Sequence, residues 1–157
     1  MIVSDHLYKD NVLTGVHARS RWELIDQLLQ AAVKNRQVRG EDGEEIKKAL
    51  FEREKSMSTG IGKGVAIPHC STDKVDDIVL VLAITDIGVN FNAVDNLPVR
   101  ITVLLIVPKD KLTQHIKTLA NIAKVLSNDA LRQSLLELDS PESIVKAIRN
   151  FEKNAKK

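Results

Sequence analysis

The sequence predicts a single α/β domain with strands and helices in layers. Short apolar runs alternate along the chain with apolar residues at helical spacing, the pattern of such a layered fold. Residues 78–84 are unbroken apolar and 99–107 nearly so, as in strands covered on both faces. At 157 residues the chain suffices for one domain and is short for two. A chain of this size buries roughly 70% of the surface its unfolded form exposes, so one substantial core is within reach. No internal repeat, low-complexity segment or linker interrupts it.

Each element has a local cause. Residues 12–16 form the first strand. Ser20-x-x-Glu23 then reads as a capping box, serine accepting an early helix amide and glutamate reaching back. Ile25, Leu28, Leu29, Ala32 and Val33 follow as one apolar stripe. A second helix runs from near Asp42 to about Lys55, with Ile46, Ala49, Leu50 and, unexpectedly, Arg53 on its inward face. Residues 58–64 are a glycine-rich loop. Residues 65–67 are extended and end at Pro68, which disfavours a helical Ile67. Asp86, Gly88, Asn90, Asn92 and residues 95–98 mark a turn-rich connection between the two buried strands. Pro108 stops the second of these. Leu112, His115, Ile116, Leu119, Ile122, Ala123 and Leu126 make a long helical stripe, with Asp110 as its expected cap. A short helix follows Asn128. The last helix has Ser140 at its N-cap and Pro141 in its first turn, where a missing amide proton costs nothing.

Composition excludes several functions. Hydrophobic residues at 43% and charged residues at 28% rule out wholesale disorder, and aromatics at 3% require an aliphatic core. A net charge of +2 argues against an electrostatically driven nucleic-acid binder, and so few aromatics leave no stacking platform. No apolar run approaches the roughly 18 residues of a membrane span. The start, Met1-Ile2-Val3-Ser4-Asp5-His6, lacks the pattern of a signal peptide. The single cysteine, Cys70, makes no internal disulfide, and a reducing cytoplasm is the simplest location. Lys153, Lys156 and Lys157 read as a solvated tail over residues 152–157, outside a core of about 12–151.

Three polar residues stand in odd places. His69 follows the glycine-rich loop and a proline. As an ordinary loop histidine it would be unremarked. Alternate glycines, however, let a backbone approach another molecule, and successive amides form anion-binding nests. A neutral imidazole there is a nucleophile toward phosphorus. Arg53 is either a snorkelling cation at a helix C-terminus or a planar fork for phosphate oxygens. His115 is either a satisfied core histidine or a helper imidazole for His69. Other chemistry fails on spacing. Val65 stands where a dinucleotide fingerprint needs its third glycine, and Gly64 follows Gly62-Lys63 where a P-loop needs Ser or Thr. His6, His17, His69, His115 and Cys70 show no zinc-type spacing. A Cys70–His115 nucleophile pair is weak, because adjacent extended residues point to opposite sides and Cys70 leaves the His69 side.

Residues 58–69, Ser-Thr-Gly-Ile-Gly-Lys-Gly-Val-Ala-Ile-Pro-His, closely resemble the phosphorylation-site signature of type-2 enzyme IIA domains. These belong to the bacterial phosphoenolpyruvate-dependent phosphotransferase system, in its fructose, mannitol and nitrogen-regulatory branches. Arg53-Glu54-Lys55 resembles the arginine segment before that signature; residues 91–99 and Val107-Pro108 with His115 and Leu119-Ala120 resemble two further family segments. The loop wording and residues 95–99 look closest to the stand-alone nitrogen-regulatory branch. Met57 stands where many members have glycine, and Ser71 where a basic residue often follows.

The resemblance implies a central mixed β-sheet flanked by helices on both faces and a phosphocarrier without cofactor or metal. His69 would accept a phosphoryl group from phosphohistidine on the carrier HPr or a paralogue. Arg53 would clamp the phosphate, His115 would support the ring, and Ser58, Thr59, Gly60, Gly62 and Gly64 would form the phosphate-binding loop. Ile61, Val65 and Ile67 would make a docking patch. The partners would be HPr, then a IIB domain or regulated proteins, with neither nucleic acid nor membrane insertion. The alternatives are a sugar-transport IIA component for fructose or mannitol and an interaction module with vestigial phosphorylation.

Overall fold

A computed structural model describes residues 3–155, apart from the side chain of Leu112. Met1, Ile2, the expected tail residues Lys156 and Lys157, and the place of Leu112 in its stripe lie outside what is described. Strands β1 (Val12–Val16), β2 (Gly60–Gly62), β3 (Val65–Ala66), β4 (His69–Thr72), β5 (Val79–Val89) and β6 (Val99–Pro108) form one sheet. Helices α1 (Arg21–Lys34), α2 (Gly43–Ser56), α3 (Leu112–Leu126), α4 (Asp129–Glu137) and α5 (Pro141–Ala155) cover it.

The sheet is mixed, as the resemblance implied. Its order is β1-β5-β6-β3-β2, with β4 also beside β6. β1 runs parallel to β5, β3 and β4 parallel to β6, while β5–β6 and β2–β3 are antiparallel. The β5 and β6 side chains alternate between two cores, which explains their continuous apolar sequence. On one face Val79, Val81, Ala83, Leu104 and Ile106 pack with α1 and α2 residues such as Leu28 and Leu50. On the other, Leu80, Leu82, Val103 and Leu105 pack with Ile122 of α3, Leu135 of α4 and Ile148 of α5.

β3 and β4 keep one register along β6 although Ile67-Pro68 interrupts them. Ala66 lies opposite Thr102 and His69 opposite Leu105, while the Pro68 carbonyl accepts from the Leu105 amide at 3.0 Å. Pro68 has no N–H for the ladder, so the strand breaks locally without slipping.

Several local expectations are corrected. The glycine-rich segment is a tight β2–β3 hairpin for most of its length. β5 continues through Asp86 and Gly88 to Val89, so the turns start later than their composition suggested. A Cβ on Gly88 would sit 2.4 Å from that of Pro98, so glycine here serves close strand contact. Ser20 does accept from the Glu23 amide at 3.1 Å, but Glu23 reaches the Arg19 amide at 3.4 Å. Asp110 does not cap α3, whose N-cap is Lys111 with no side-chain bond. Of the expected α3 stripe, Leu119, Ile122, Ala123 and Leu126 do pack on the core, but Ile116 is 63% exposed, and Thr118 and Val125 are buried in addition. Thr118 donates to the Gln114 carbonyl at 2.7 Å, which lets a hydroxyl face inward. Packing also starts before residue 12 and continues past 151. Val3 and Leu7 join the core, and buried Glu152 of α5 accepts from the Val3 and Ser4 amides at 2.7 and 2.9 Å. Lys153 belongs to α5.

Candidate phosphoryl-transfer site

His69 opens β4, just after the proline break, and is half-buried. Its Nδ1 lies 2.8 Å from the Ile67 carbonyl. A carbonyl oxygen only accepts, so Nδ1 carries the proton and Nε2 holds the free lone pair. Burial lowers the His69 pKa from its ordinary 6.5; the Ile67 bond opposes this, and Arg53 and His115 reinforce it electrostatically. A neutral imidazole with one unprotonated nitrogen is thus the resting form at neutral pH.

His115, in the first turn of α3, meets His69 edge to face, the rings 5.5 Å apart at 82°. Among the described residues neither His115 ring nitrogen, both enclosed, has a hydrogen-bond partner, and burial lowers its pKa from 6.5. It is not a satisfied core histidine. An enclosed polar atom without a partner costs about 1–3 kcal/mol, a cost that a group arriving beside it can remove.

Arg53 lies in the last turn of α2, near enough to act electrostatically on His69. Its Nη1 donates to the Met57 carbonyl at 2.8 Å, so the guanidinium also satisfies the end of its own helix. Met57 itself is extended at φ −165°, a conformation any residue adopts, so no glycine is needed at this entry.

The hairpin is less open to anions than its glycines suggested. Gly62, Lys63 and Gly64 all have positive φ, 100°, 58° and 78°, and form its turn. Three of its amides already have acceptors: Lys63 donates to Asp95 at 2.8 Å, Thr59 to Glu54 at 2.9 Å and Gly60 to the Ser58 hydroxyl at 3.0 Å. The Lys63 and Leu97 amides hold the Asp95 carboxyl below its ordinary range. Gly60 is needed for close contact, since a Cβ there would lie 2.7 Å from that of Ala93. Val65 and Ile67 are buried and cannot form a docking patch; Ile61 is 45% exposed. Met57, Val94 and Ile116 are exposed as well: Met57 follows α2, the Val94 amide donates to the Gly60 carbonyl of β2, and Ile116 follows His115.

Cys70 points away from His69 into the α1–α2 core, where burial pushes its thiol up to about 12. Among the described residues no group of three His, Cys, Asp or Glu side chains could hold a metal, and no helix is long and apolar enough to cross a membrane.

Sequence reasoning missed Glu54, Asp95 and Arg21. Glu54 had a signal: it follows Ile46 and Leu50 at four-residue steps, on the inward face of α2. Arg21 and Asp95 find their partners across the fold, beyond any local pattern.

The sequence profile of the family described as "Phosphoenolpyruvate-dependent sugar phosphotransferase system, EIIA 2" matches residues 5–151. The chain belongs to this family. The fructose-specific EIIA component of Haloferax volcanii is 32% identical over 76% of the chain and 77% of that protein. The nitrogen regulatory protein of Klebsiella oxytoca is 30% identical over 93% of the chain and 89% of that protein. The chain also aligns over 98% of its length with the fructose-specific EIIABC component of Bacillus subtilis (strain 168), at 25% identity, and spans only 24% of that longer protein. Among solved structures, nitrogen regulatory protein IIA-Ntr from Neisseria meningitidis superposes with a TM-score of 0.85 at 26% identity, covering 93% of this chain and 98% of that one. The Escherichia coli mannitol enzyme IIA, solved in complex with phosphorylated enzyme IIB, shares the enzyme IIA fold at a TM-score of 0.78 and 20% identity, over 92% and 97% of the two chains.

Proposed function

We propose that this enzyme IIA domain is a cytoplasmic phosphocarrier of the nitrogen-regulatory branch, taking a phosphoryl group from phosphohistidine on an HPr-type protein onto Nε2 of His69. The observation that carries the reading is the His69 Nδ1–Ile67 carbonyl bond, which leaves a neutral ring with its lone pair on Nε2.

In the transfer, the Nε2–phosphorus bond forms as the bond from phosphorus to the donor's ring nitrogen breaks, and the donor ring, protonated on its other nitrogen, keeps the electron pair and leaves as a neutral imidazole. The Nδ1 proton stays on His69, and the Ile67 carbonyl stabilises the positive charge the ring acquires. One imidazole replaces another, so catalysis is positioning and charge stabilisation. Arg53 holds phosphoryl oxygens. The arriving group adds nearly two negative charges. Beside His115 this raises the imidazole's pKa, so that it protonates and donates to an oxygen. Met57, Ile61, Val94 and Ile116 give the partner an apolar rim to cover. The phosphoryl group then alters what the same surface attracts, which is the basis of regulation by binding.

The test is a phosphorelay with a radiolabelled HPr-type carrier. Wild type takes up acid-labile, base-stable phosphate and His69→Ala takes up none; full labelling of that variant would contradict the assignment. The likeness to the Haloferax volcanii fructose-specific component supports a second reading, delivery of phosphate to a IIB domain. Rapid discharge onto a purified fructose or mannitol IIB domain would favour that role.

A further inference from the structure

Glu54 follows Arg53 in the last turn of α2, and its side chain is fully buried. Its carboxylate accepts from the Thr59 amide at 2.9 Å, from the Thr59 hydroxyl, and from Arg21 Nη1 at 3.3 Å. Arg21 Nη1 also donates to the Phe91 carbonyl at 2.9 Å, which the Ser58 hydroxyl shares. Glu54 thus joins the start of α1, the end of α2, the entry to the hairpin and the segment after β5.

From Thr59 the connection continues to the histidine. The Thr59 carbonyl accepts from the Ile67 amide at 3.0 Å, and the Ile67 carbonyl accepts from His69 Nδ1 at 2.8 Å. The residue that selects the His69 tautomer is therefore held by Thr59, and Thr59 by Glu54. Arg53 is carried on the same helical turn as Glu54, so one anchor fixes both the guanidinium and the carbonyl relative to the ring.

We propose that Glu54 is a positioning residue for phosphoryl transfer: its buried carboxylate, held between Thr59 and Arg21, locks the Arg53 end of α2 to the Ile67–His69 break and keeps Nε2 of His69 as the free nitrogen. This deepens the phosphocarrier reading and rests on it for the rate effect alone. The tautomer effect stands without any phosphate donor. Among the described residues Glu152 is the other buried carboxylate, and it holds the Val3 and Ser4 amides in another part of the fold.

The experiment compares Glu54→Gln with Glu152→Gln in the full chain. Three quantities are read: thermal midpoint, the His69 ring tautomer by heteronuclear NMR, and single-turnover phosphorylation by the labelled HPr-type carrier. Glu54→Gln is expected to slow transfer about 10- to 100-fold, the scale of a small misplacement of reacting groups. The carrier concentration at half-maximal rate should not move, and a population protonated on Nε2 should appear. Glu152→Gln should lower the thermal midpoint while leaving tautomer and rate as in wild type. A Glu54→Gln protein with the wild-type tautomer and rate overturns the proposal, as does equal slowing by Glu152→Gln. Should Glu54→Gln not fold, Thr59→Val, which keeps the backbone donor and removes only the hydroxyl, must show the same tautomer shift at smaller amplitude; its absence overturns the proposal. If wild type takes up no phosphate while Glu54→Gln still shifts the tautomer, the relay fails and the positioning role of Glu54 stands.

Discussion

Two imidazoles set the pH behaviour of the site. His69 and His115 are both held below their ordinary 6.5 by burial. Each therefore stays neutral in the folded chain at pH values where the unfolded chain has taken up a proton. Their contribution to stability is intact above pH 6.5 and is lost as the pH falls below it, because the unfolded state then binds more protons. Urea titrations between neutral and mildly acidic pH should show stability falling with acid in wild type and falling less in a His69→Ala/His115→Ala chain. The same shift places the acid limb of phosphoryl acceptance below pH 6.5, measurable as single-turnover rate against pH. His115→Ala should still label, because the Ile67 carbonyl holds Nδ1 of His69 and leaves Nε2 free, but should discharge more slowly to a second acceptor. Discharge at the wild-type rate would make His115 a packing residue. Part of this candidate site is legible in residue types: His69 stands out by the glycine-rich loop before it, and Arg53 and His115 as polar residues on inward helical faces. The tautomer could not be read, since it depends on a backbone carbonyl, that of Ile67, which meets the ring at the Pro68 break.

At the scale of elements, local rules worked where the partner was local and failed where it was distant. Ser20, Asn128 and Ser140 all accept an amide three residues ahead, as their caps require. Glu23 and Asp110 had equally good sequence context, yet neither makes the bond its context suggested. The α3 stripe misled at Ile116 because a polarity rule counts Thr118 as outward and isoleucine as inward. The strands β2 and β4 were missed for a different reason: at three and four residues, bracketed by glycine and proline, they are too short for alternation to show. The hairpin and the β5–β6 connection nevertheless depend on sites that tolerate no side chain. Gly60→Ala and Gly88→Ala should each lower stability by about 1–3 kcal/mol through forced contact with Ala93 and Pro98, visible as a reduced denaturation midpoint. Gly60→Ala should also slow phosphorylation, because it displaces Thr59 next to it, whereas Gly88→Ala should leave the rate per folded molecule unchanged.

For the molecule as a whole, one sheet with a core on each face makes α1–α2 and α3–α5 depend on the same two strands. Leu28→Ala removes a fully buried side chain from one core and Leu135→Ala from the other. Each should cost about 2–5 kcal/mol. Both should give a single cooperative transition by circular dichroism, since neither core persists without β5 and β6. Cys70 offers an independent gauge of that cooperativity. Its sulfur is sealed beneath α1 and α2 and pushed to about 12, so alkylating reagents reach it only when that layer lifts from the sheet. The speed at which iodoacetamide consumes the native protein then times the lifting of that helical layer, with a natural sulfhydryl in place of an engineered dye. A chain kept in its phosphorylated form would reveal, by the same stopwatch, whether carrying the group tightens or loosens the layer behind it.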